Sequence, residues 1–329
     1  MDVWENLRAY LRVRDNETVL RRLGVDFREF GAGHSREFLK EAKLIYPLGW
    51  YKPLANGLFQ DEWGIVYEKV STGTHWRTFR YPLANVQNLD NFELPDLDAP
   101  GRFEHAEKEI PRLKETYIIT AGWFELFDRA WYLRGYDRFI KDMYLDPSFA
   151  NALLDKIFKY DLECGNRFVD MGVDIILLCD DIATQTSLMF SPGLWRKYYK
   201  PRFKQLIDSF KKRGCHYFLF DSDGDLTQIY PDLIETGFQI ISPSQPECMN
   251  LTALKREFGD KICFRGAISV QRTIPFGTNR DVEEEVIRTV KTLGHNGGLI
   301  VAPSHTPQPN DPIQNVVAVY ETAKKIRNF

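Results

Sequence analysis

Three aspartates at alternate positions form the stretch of this sequence best suited to chemistry. Asp221, Asp223 and Asp225 follow the apolar run 217–220, and Gly224 lies between the last two. A short apolar run bounded by glycine and polar residues indicates a buried strand, so the acids lie just beyond its C-terminal end. In extended backbone Asp221 and Asp223 point to the same side, and a metal ion, a basic partner, a shared proton or solvent must relieve their repulsion. A solvated, helix-capping turn is the alternative interpretation.

This strand belongs to a series that alternates with helical patterns. Strand patterns occur at 24–30, 117–121, 173–179, 215–220, 238–242, 262–266 and 299–302. Alternation on this scale predicts the α/β class, with βα units and a parallel sheet. These are seven strands, whereas a closed barrel needs eight. Because no glycine-rich dinucleotide or phosphate motif is present, we expect a (β/α)8 TIM-type barrel with its first strand missing, rather than an open doubly wound sheet.

Residues 45–82 differ in character from the rest of the chain. Short β-like runs rich in Trp, Tyr and Phe are broken by Gly57, Gly64 and Gly73, and residues 71–74 are the predicted turn. The pattern predicts an N-terminal β-hairpin insertion within a single domain that spans 1–329. Its aromatic side chains could cover a flat substrate or support a homodimer surface, although core filling is the default role of aromatic stripes.

Residues with functional side chains gather at the predicted C-terminal ends of the strands, and turn glycines gather at the opposite ends. This end of a barrel carries the active site. The residues concerned are Trp123, Glu125, Asp180, Asp181, Gln185, Asp221, Asp223, Gln245, Glu247, Arg265, Ser304 and His305. Helix capping by the acids, loop bonding by the amides and simple solvation of the histidine remain alternatives. We expect Arg265 to need a carboxylate partner, such as Asp223.

Bulk composition excludes some classes of protein. The 329 residues carry a net charge of −3 with a pI near 6.1, which predicts no basic surface for nucleic acid or for an anionic membrane. Five cysteines without a Cys-x-x-Cys pair argue for a reducing compartment and against a disulfide framework or an all-cysteine zinc site. Neither a signal-type N-terminus nor a long apolar run occurs, so we expect a cytoplasmic protein.

Several segments, in order along the chain, resemble the uroporphyrinogen decarboxylase superfamily. This (β/α)8-barrel group includes the haem-pathway decarboxylase and a branch of cobalamin-linked methyltransferases. The resemblance extends over nearly all of the chain. It is carried by residues 180–186, 190–197, 218–225, 229–235, 258–268, 297–305 and 311–315.

The two branches of the superfamily imply different chemistry. The haem-pathway decarboxylase has an N-terminal Arg-Gln-Ala-Gly-Arg-Tyr-type motif that holds propionate groups, and nothing like it is present here, so the chain is closer to the methyltransferase branch. In that branch a His-x-Cys-Gly segment and a later cysteine bind zinc. The matching positions here are Asp221, Asp223 and, after the last strand, Ser304 or His305. The resemblance then implies zinc or a harder divalent metal on an Asp, Asp, His set.

The resulting hypothesis is an O-demethylase-like methyltransferase. It would move a methyl group from a methoxy- or methylamine-type small molecule to a corrinoid protein. The expected catalytic and metal-binding residues are Asp221, Asp223 and His305. The expected substrate-binding residues are Asp180, Asp181, Gln185, Gln245 and Trp123. The alternatives are a tetrapyrrole decarboxylase, in which His305 assists proton transfer, and a non-catalytic binding barrel that has lost its metal site.

Overall fold

The structure is a computed structural model that describes residues 2–45, 49–69 and 76–327. The chain divides into two compact units. The first unit contains Met1–Phe27, Asp181–Pro192 and Tyr217–Phe329, and the second contains Arg28–Asp180 and Gly193–His216. The expectation of a single domain over 1–329 stays a prediction.

Strands and helices alternate along most of the described residues. The strands are β1 (Phe27–Phe30), β2 (Lys43–Ile45), β3 (Gly49–Pro53), β4 (Leu58–Gln60), β5 (Val66–Lys69), β6 (Trp76–Arg80), β7 (Ile118–Phe124), β8 (Ile175–Cys179), β9 (Tyr217–Asp221), β10 (Ile240–Ser244), β11 (Cys263–Ile268) and β12 (Leu299–Pro303). The helices are α1 (Val3–Leu11), α2 (Asn16–Leu23), α3 (Arg36–Glu41), α4 (Glu104–Leu113), α5 (Phe127–Arg134), α6 (Tyr136–Leu145), α7 (Pro147–Asp170), α8 (Pro192–Tyr198), α9 (Lys200–Lys212), α10 (Tyr230–Thr236), α11 (Leu251–Phe258), α12 (Thr273–Phe276), α13 (Asn279–Leu293) and α14 (Ile313–Arg327).

The helix boundaries follow capping chemistry that is visible in the sequence. The Asp146 carboxylate accepts the Phe149 N–H at 3.1 Å, and Pro147 occupies the first turn of α7. Thr278 and Asp281 form a reciprocal capping box at the start of α13. These caps satisfy N–H groups that lack partners within a helix, so the following amphipathic segments begin at defined residues.

In the first unit, β9, β10, β11 and β12 are parallel and adjacent in chain order. Helices α1, α2, α13 and α14 contribute to a buried aliphatic core with the end of β11. Val19, Val282, Val286 and Val319 in this core are fully buried. Burial of these side chains stabilises the frame that carries the C-terminal ends of the four strands.

In the second unit, β7 and β8 are parallel, and β2 to β6 form a separate antiparallel sheet in chain order. The core beneath β7 and β8 is rich in fully buried aromatic side chains. Its members include Phe127, Phe139, Phe168, Tyr198, Tyr199, Phe203 and Phe210. Much of the chain's aromatic content therefore fills a core.

The predicted fold class is confirmed: the chain is an α/β protein of the TIM-like type with an antiparallel β insertion in its N-terminal part. Apart from the antiparallel insertion, the described residues contain seven strands, β1 and β7 to β12, which is the number predicted from the sequence. The helical pattern of the sequence continues through residues 124–144, but the structure has two helices there, because Gly135 adopts a φ of +94° between α5 and α6. The predicted turn 71–74 lies outside the described residues.

Candidate active site

Three neighbouring strands of the first unit place an aspartate, a serine and an arginine side by side. Asp221 ends β9 and is the register partner of Ser242 on β10. Arg265 extends from β11, and its Nη1 atom donates to Ser242 Oγ at 2.8 Å and lies 3.5 Å from Asp221 Oδ2. Phe220 and Phe264 point to the opposite face and are fully buried. This edge therefore carries a carboxylate beside a guanidinium, and the partner of Arg265 is Asp221 rather than the suggested Asp223.

The loop after β9 is held by hydrogen bonds that fix the position of Asp223. The Asp223 N–H donates to Asp181 Oδ1 at 2.9 Å, and the Gly224 N–H donates to Gln245 Oε1 at 3.2 Å. Gly224 has a φ of +90°, and a Cβ atom there would lie 2.4 Å from the Thr184 carbonyl oxygen. Glycine is therefore required at this point of the loop.

The charges of Asp181, Asp221 and Asp223 interact. Burial, followed by the charge of Asp181, raises the pKa of Asp223 to about 6. Burial also raises the pKa of Asp221, although a hydrogen bond from Ser242 and the charge of Arg265 oppose the rise. Asp223 thus exchanges its proton close to neutral pH, which suits a general acid or base.

His305 faces Asp223 from the loop after β12. Its Nε2 atom is 3.7 Å from Asp223 Oδ2, and its Nδ1 atom is 3.3 Å from the Thr306 carbonyl oxygen. The His305 and Asp223 side chains are 53% and 40% exposed. Because 3.7 Å is longer than a hydrogen bond, the two groups interact electrostatically and are open to a bound molecule. The structure therefore brings together Asp181, Asp221, Asp223 and His305.

The expected metal ligands do not form a metal-binding set. Within residues 2–45, 49–69 and 76–327, no three His, Cys, Asp or Glu side chains are placed to hold a metal ion. Asp221 is engaged instead by Ser242 and by Arg265, whose positive charge would repel a metal cation. Asp221, Asp223 and His305 therefore do not fit zinc or another divalent metal, and proton transfer is the chemistry that they do fit.

Gln185 and Gln245, both predicted to bind substrate, have different surroundings. Gln245 is buried and accepts the Gly224 N–H, so it supports the loop after β9. Gln185 is exposed, and its Oε1 atom lies 3.4 Å from Cys248 Sγ and 3.3 Å from Gln271 Nε2. Gln185 is thus the better placed of the two to contact a ligand.

Asp180 and Trp123, also predicted to bind substrate, belong to the second unit. Trp123 lies near the C-terminal end of β7, is 50% exposed and has a φ of +75°. Asp180 is fully buried, and its Oδ1 atom accepts the N–H groups of Phe127 at 2.7 Å and Asp128 at 3.0 Å. Asp180 therefore satisfies the N-terminal N–H groups of α5, a structural contact.

Replacing Asp180 with alanine is expected to lower the free energy of unfolding by about 2 to 5 kcal/mol, because two buried N–H groups lose their acceptor. Asp180→Asn keeps an acceptor oxygen and should cost less. Urea denaturation followed by circular dichroism measures both values. A substrate-contact role would appear instead as an Asp180→Asn protein of wild-type stability that has lost substrate affinity.

Glu247, which the sequence places after β10, has a buried carboxylate neighbour, Glu285, that no sequence signal marks. Ser269 Oγ donates to Glu247 Oε1, and the Ser269 N–H donates to Glu285 Oε1 at 3.1 Å. The Oε2 atoms of Glu247 and Glu285 are buried and have no hydrogen-bond partner in the described part of the chain. Glu285 lies on α13 among other charged residues, so only tertiary packing determines its burial.

The Cys248 thiol is expected to be a poor nucleophile. Burial, followed by the charges of Glu247, Asp225 and Asp223, raises its pKa to about 11. At pH 8 its thiolate fraction would be about 100-fold or more below that of a free cysteine, and alkylation should slow accordingly. Iodoacetamide labelling with mass spectrometry of the Cys248 peptide, repeated after urea unfolding, measures the difference. Equal rates in the folded and unfolded protein would contradict this assignment.

Two solved structures with similar folds are those of enzymes. A methyltransferase from Methanosarcina mazei superposes with a TM-score of 0.64 at 19% identity, covering 81% of this chain and 77% of the other. A B12-independent methionine synthase from Shewanella sp. W3-18-1 gives a TM-score of 0.54 at 14% identity, covering 99% and 89%. At these identities the similarity establishes the fold. None of the described helices is long and apolar enough to cross a membrane.

Two curated relatives have the same name. The uroporphyrinogen decarboxylases of Pelodictyon phaeoclathratiforme and Chlorobium chlorochromatii are 21% and 22% identical over 255 residues, which are 74% of this chain and 70% of each relative. The family profile described as uroporphyrinogen decarboxylase (URO-D) matches residues 71–326, well over half of the chain and including every strand from β7 to β12. This chain therefore belongs to the uroporphyrinogen decarboxylase (URO-D) family of enzymes.

Proposed function

We propose that this protein transfers a methyl group from a small methylated molecule to a corrinoid carried by a partner protein. One observation carries the proposal. Asp223, whose pKa is about 6, faces the His305 imidazole at 3.7 Å at the C-terminal edge of parallel strands. An acid–base pair at this edge suits a reaction in which a heteroatom must gain a proton.

A methyl group on oxygen or nitrogen departs readily only when the heteroatom does not have to leave as a strong base. As the carbon–heteroatom bond breaks, its electron pair stays on the heteroatom, and the protonated Asp223 carboxyl can donate a proton there. His305 can then return a proton to Asp223. Asp181 accepts the backbone N–H of Asp223, which positions the loop that carries the carboxyl.

The acceptor suits the open surroundings of this pair. A corrinoid bound to a partner protein would supply the nucleophile that receives the methyl group. Asp223 and His305 are each about half exposed, so a large group brought from outside can approach the donor. The fold similarity to the Methanosarcina mazei methyltransferase is consistent with this proposal.

Tetrapyrrole decarboxylation is the second candidate, and the names of the curated relatives favour it. In that reaction a carboxylate would stabilise a protonated pyrrole and His305 would assist proton transfer. The charge of the candidate site argues against it. Asp181, Asp221 and Asp223 interact electrostatically beside Arg265, and their negative charge disfavours a substrate with many carboxylates.

The proposal is tested with the purified full chain, free cob(I)alamin and a panel of methoxy- and methylamino-compounds. Loss of the cob(I)alamin absorbance together with mass-spectrometric detection of the demethylated donor is the expected result for at least one donor. A parallel sample without the protein provides the baseline rate for each donor. Equal rates with and without the protein for every donor would contradict the proposed function.

A further inference from the structure

We propose that Trp123 is the stacking platform of a binding site for a small ligand that contains a planar aromatic ring. Trp123 belongs to the second unit, and this site does not depend on the Asp223–His305 pair of the first. The backbone conformation of Trp123, its place in a β-bulge and the surroundings of its indole all point to a bound ligand.

The backbone of Trp123 has a conformation that bulky residues seldom adopt. Its φ is +75°, in the left-handed region. The other non-glycine residues with a positive φ in the described part of the chain are Arg12, Asn56, Ala267 and Asn296. Arg12 is the C-cap of α1, and asparagine tolerates this region. Trp123 is the one aromatic residue among these five, and strain of this kind clusters at binding and active sites.

A β-bulge near the end of β7 directs Trp123 away from the core. Gly122 and Phe124 are the register partners of the consecutive residues Leu177 and Leu178 on β8, so Trp123 is the extra residue of the bulge. Phe124 directly after it is 4% exposed and packs in the core. Bulges often re-aim a side chain beside a functional site, and TIM-like folds bind their ligands at this end of the strands.

The bulge does not in itself require a tryptophan. Glycine adopts a positive φ without strain, and asparagine does so at little cost, so either residue would form the bulge more favourably. Trp123 is 50% exposed and recovers only part of the free energy that burial of an indole would provide. The choice of side chain, rather than the bulge, therefore calls for a functional role.

The indole of Trp123 has no specific partner in the part of the chain that the structure describes. It makes no hydrogen bond, no contact with another aromatic ring and no cation–π contact there. The side chain therefore offers a flat apolar face and an unused N–H donor. A planar ring can stack on this face, and an oxygen at the edge of that ring can accept the indole N–H.

The neighbours of Trp123 on β7 favour a small ligand over a protein partner. Specific protein interfaces bury about 1,000 Å² or more over a contiguous surface. Ala121 and Phe124 are buried, and Ile118, the other exposed large apolar residue of β7, begins the strand at its opposite end. Along this strand the indole is thus a single flat surface, which suits one ring.

The test compares two ligands that differ in the planarity of one ring. The probe para-methoxybenzyl alcohol is paired with its cyclohexane analogue, because both are neutral and carry the same substituents. Affinities are measured by ligand-observed NMR titration of the full chain. We expect the aromatic alcohol to bind about 2- to 10-fold more tightly, which is the gain of aromatic pairing beyond the buried area.

Three variants locate this preference for the planar ring. Trp123→Ala should remove it, whereas Trp123→Phe keeps a flat ring and should retain most of it. Trp50→Ala is the matched control, because Trp50 is a 40% exposed tryptophan of the same unit whose φ is not positive. Trp50→Ala should keep the full preference.

Thermal unfolding tests the backbone strain separately. Glycine in a strand is normally less stable than alanine, but this order reverses where φ is positive. Trp123→Gly should therefore unfold at a higher temperature than Trp123→Ala. In contrast, Trp50→Gly should unfold at a lower temperature than Trp50→Ala.

The contradictory outcomes do not involve methyl transfer. Equal affinity for the two alcohols, an undiminished preference in Trp123→Ala, or no saturable binding of the aromatic alcohol would overturn the site. A Trp123→Gly protein less stable than Trp123→Ala would overturn the strain on which the site is inferred. Because binding and unfolding are measured without a corrinoid, failure of the proposed function would leave these results unchanged.

Discussion

Replacing Asp223 with asparagine is expected to lower the rate of methyl transfer by about 100-fold or more while leaving the fold intact. The amide keeps the size of the side chain and the backbone contact with Asp181, but it cannot donate the proton that the leaving heteroatom needs. His305→Ala should produce a loss of similar size. Steady-state kinetics with cob(I)alamin, compared with circular dichroism of each variant, measures the effect.

The rate of methyl transfer by the wild type should also depend on pH in a defined direction. The protonated form of Asp223 is the active one, and its pKa is about 6, so the wild-type rate should fall about tenfold per pH unit above that value. Asp225→Asn is the matched control, because Asp225 is an aspartate of the same loop that accepts the Thr227 N–H. It should retain the wild-type rate and pH profile. Turnover at the wild-type rate in Asp223→Asn would show that Asp223 is not the proton donor of the site.

Replacing Glu62 with glutamine is expected to produce a large loss of stability, about 3 kcal/mol at pH 7. Glu62 and Arg102 form a bidentate ion pair at 2.7 and 2.8 Å, and their side chains are 11% and 5% exposed. Burial opposes ionisation of Glu62, but contacts with His34, Ser35 and Arg102 outweigh it and lower its pKa from 4.5 to about 2. A difference of one pKa unit between the folded and the unfolded protein corresponds to about 1.4 kcal/mol of stability.

The difference in unfolding free energy between wild type and Glu62→Gln should decrease as the pH falls. Because the pKa of Glu62 is lower in the folded state, its contribution is complete above the unfolded value of 4.5 and is lost as the pH falls towards 2. The gap in unfolding free energy between wild type and Glu62→Gln should therefore close between about pH 5 and pH 2. Urea denaturation across this range measures it. Glu37→Gln removes an exposed pair with Lys40 and should change stability by less than about 1 kcal/mol.

The sequence predicts the frame of the candidate site better than its contacts. Strand alternation places Asp221, Asp223 and His305 at the same edge because parallel strands share their C-terminal ends. The strand pattern cannot distinguish the roles of Asp180 and Asp181, because adjacent side chains point in different directions. The Asp180 carboxylate is buried against α5, whereas the Asp181 carboxylate accepts the Asp223 backbone N–H.

Pairings between distant segments are also beyond the sequence pattern. The partner of Arg265 depends on the register of three strands, which places Ser242 and Asp221 within its reach. Glu62 and Arg102 are 40 positions apart and neither belongs to a recognisable motif. The expected metal was inferred from a resemblance, and the arginine beside Asp221 that disfavours it follows only from tertiary structure.

Methyl transfer and porphyrinogen decarboxylation, measured on the same preparation of the full chain, test the central proposal most directly. A donor labelled with 13C in its methyl group is incubated with the protein and cob(I)alamin, and a parallel sample receives uroporphyrinogen. We predict that the labelled methyl group moves to the corrinoid at a rate that depends on Asp223, and that the porphyrinogen is unchanged. Decarboxylated porphyrinogen without any methyl transfer would contradict the account.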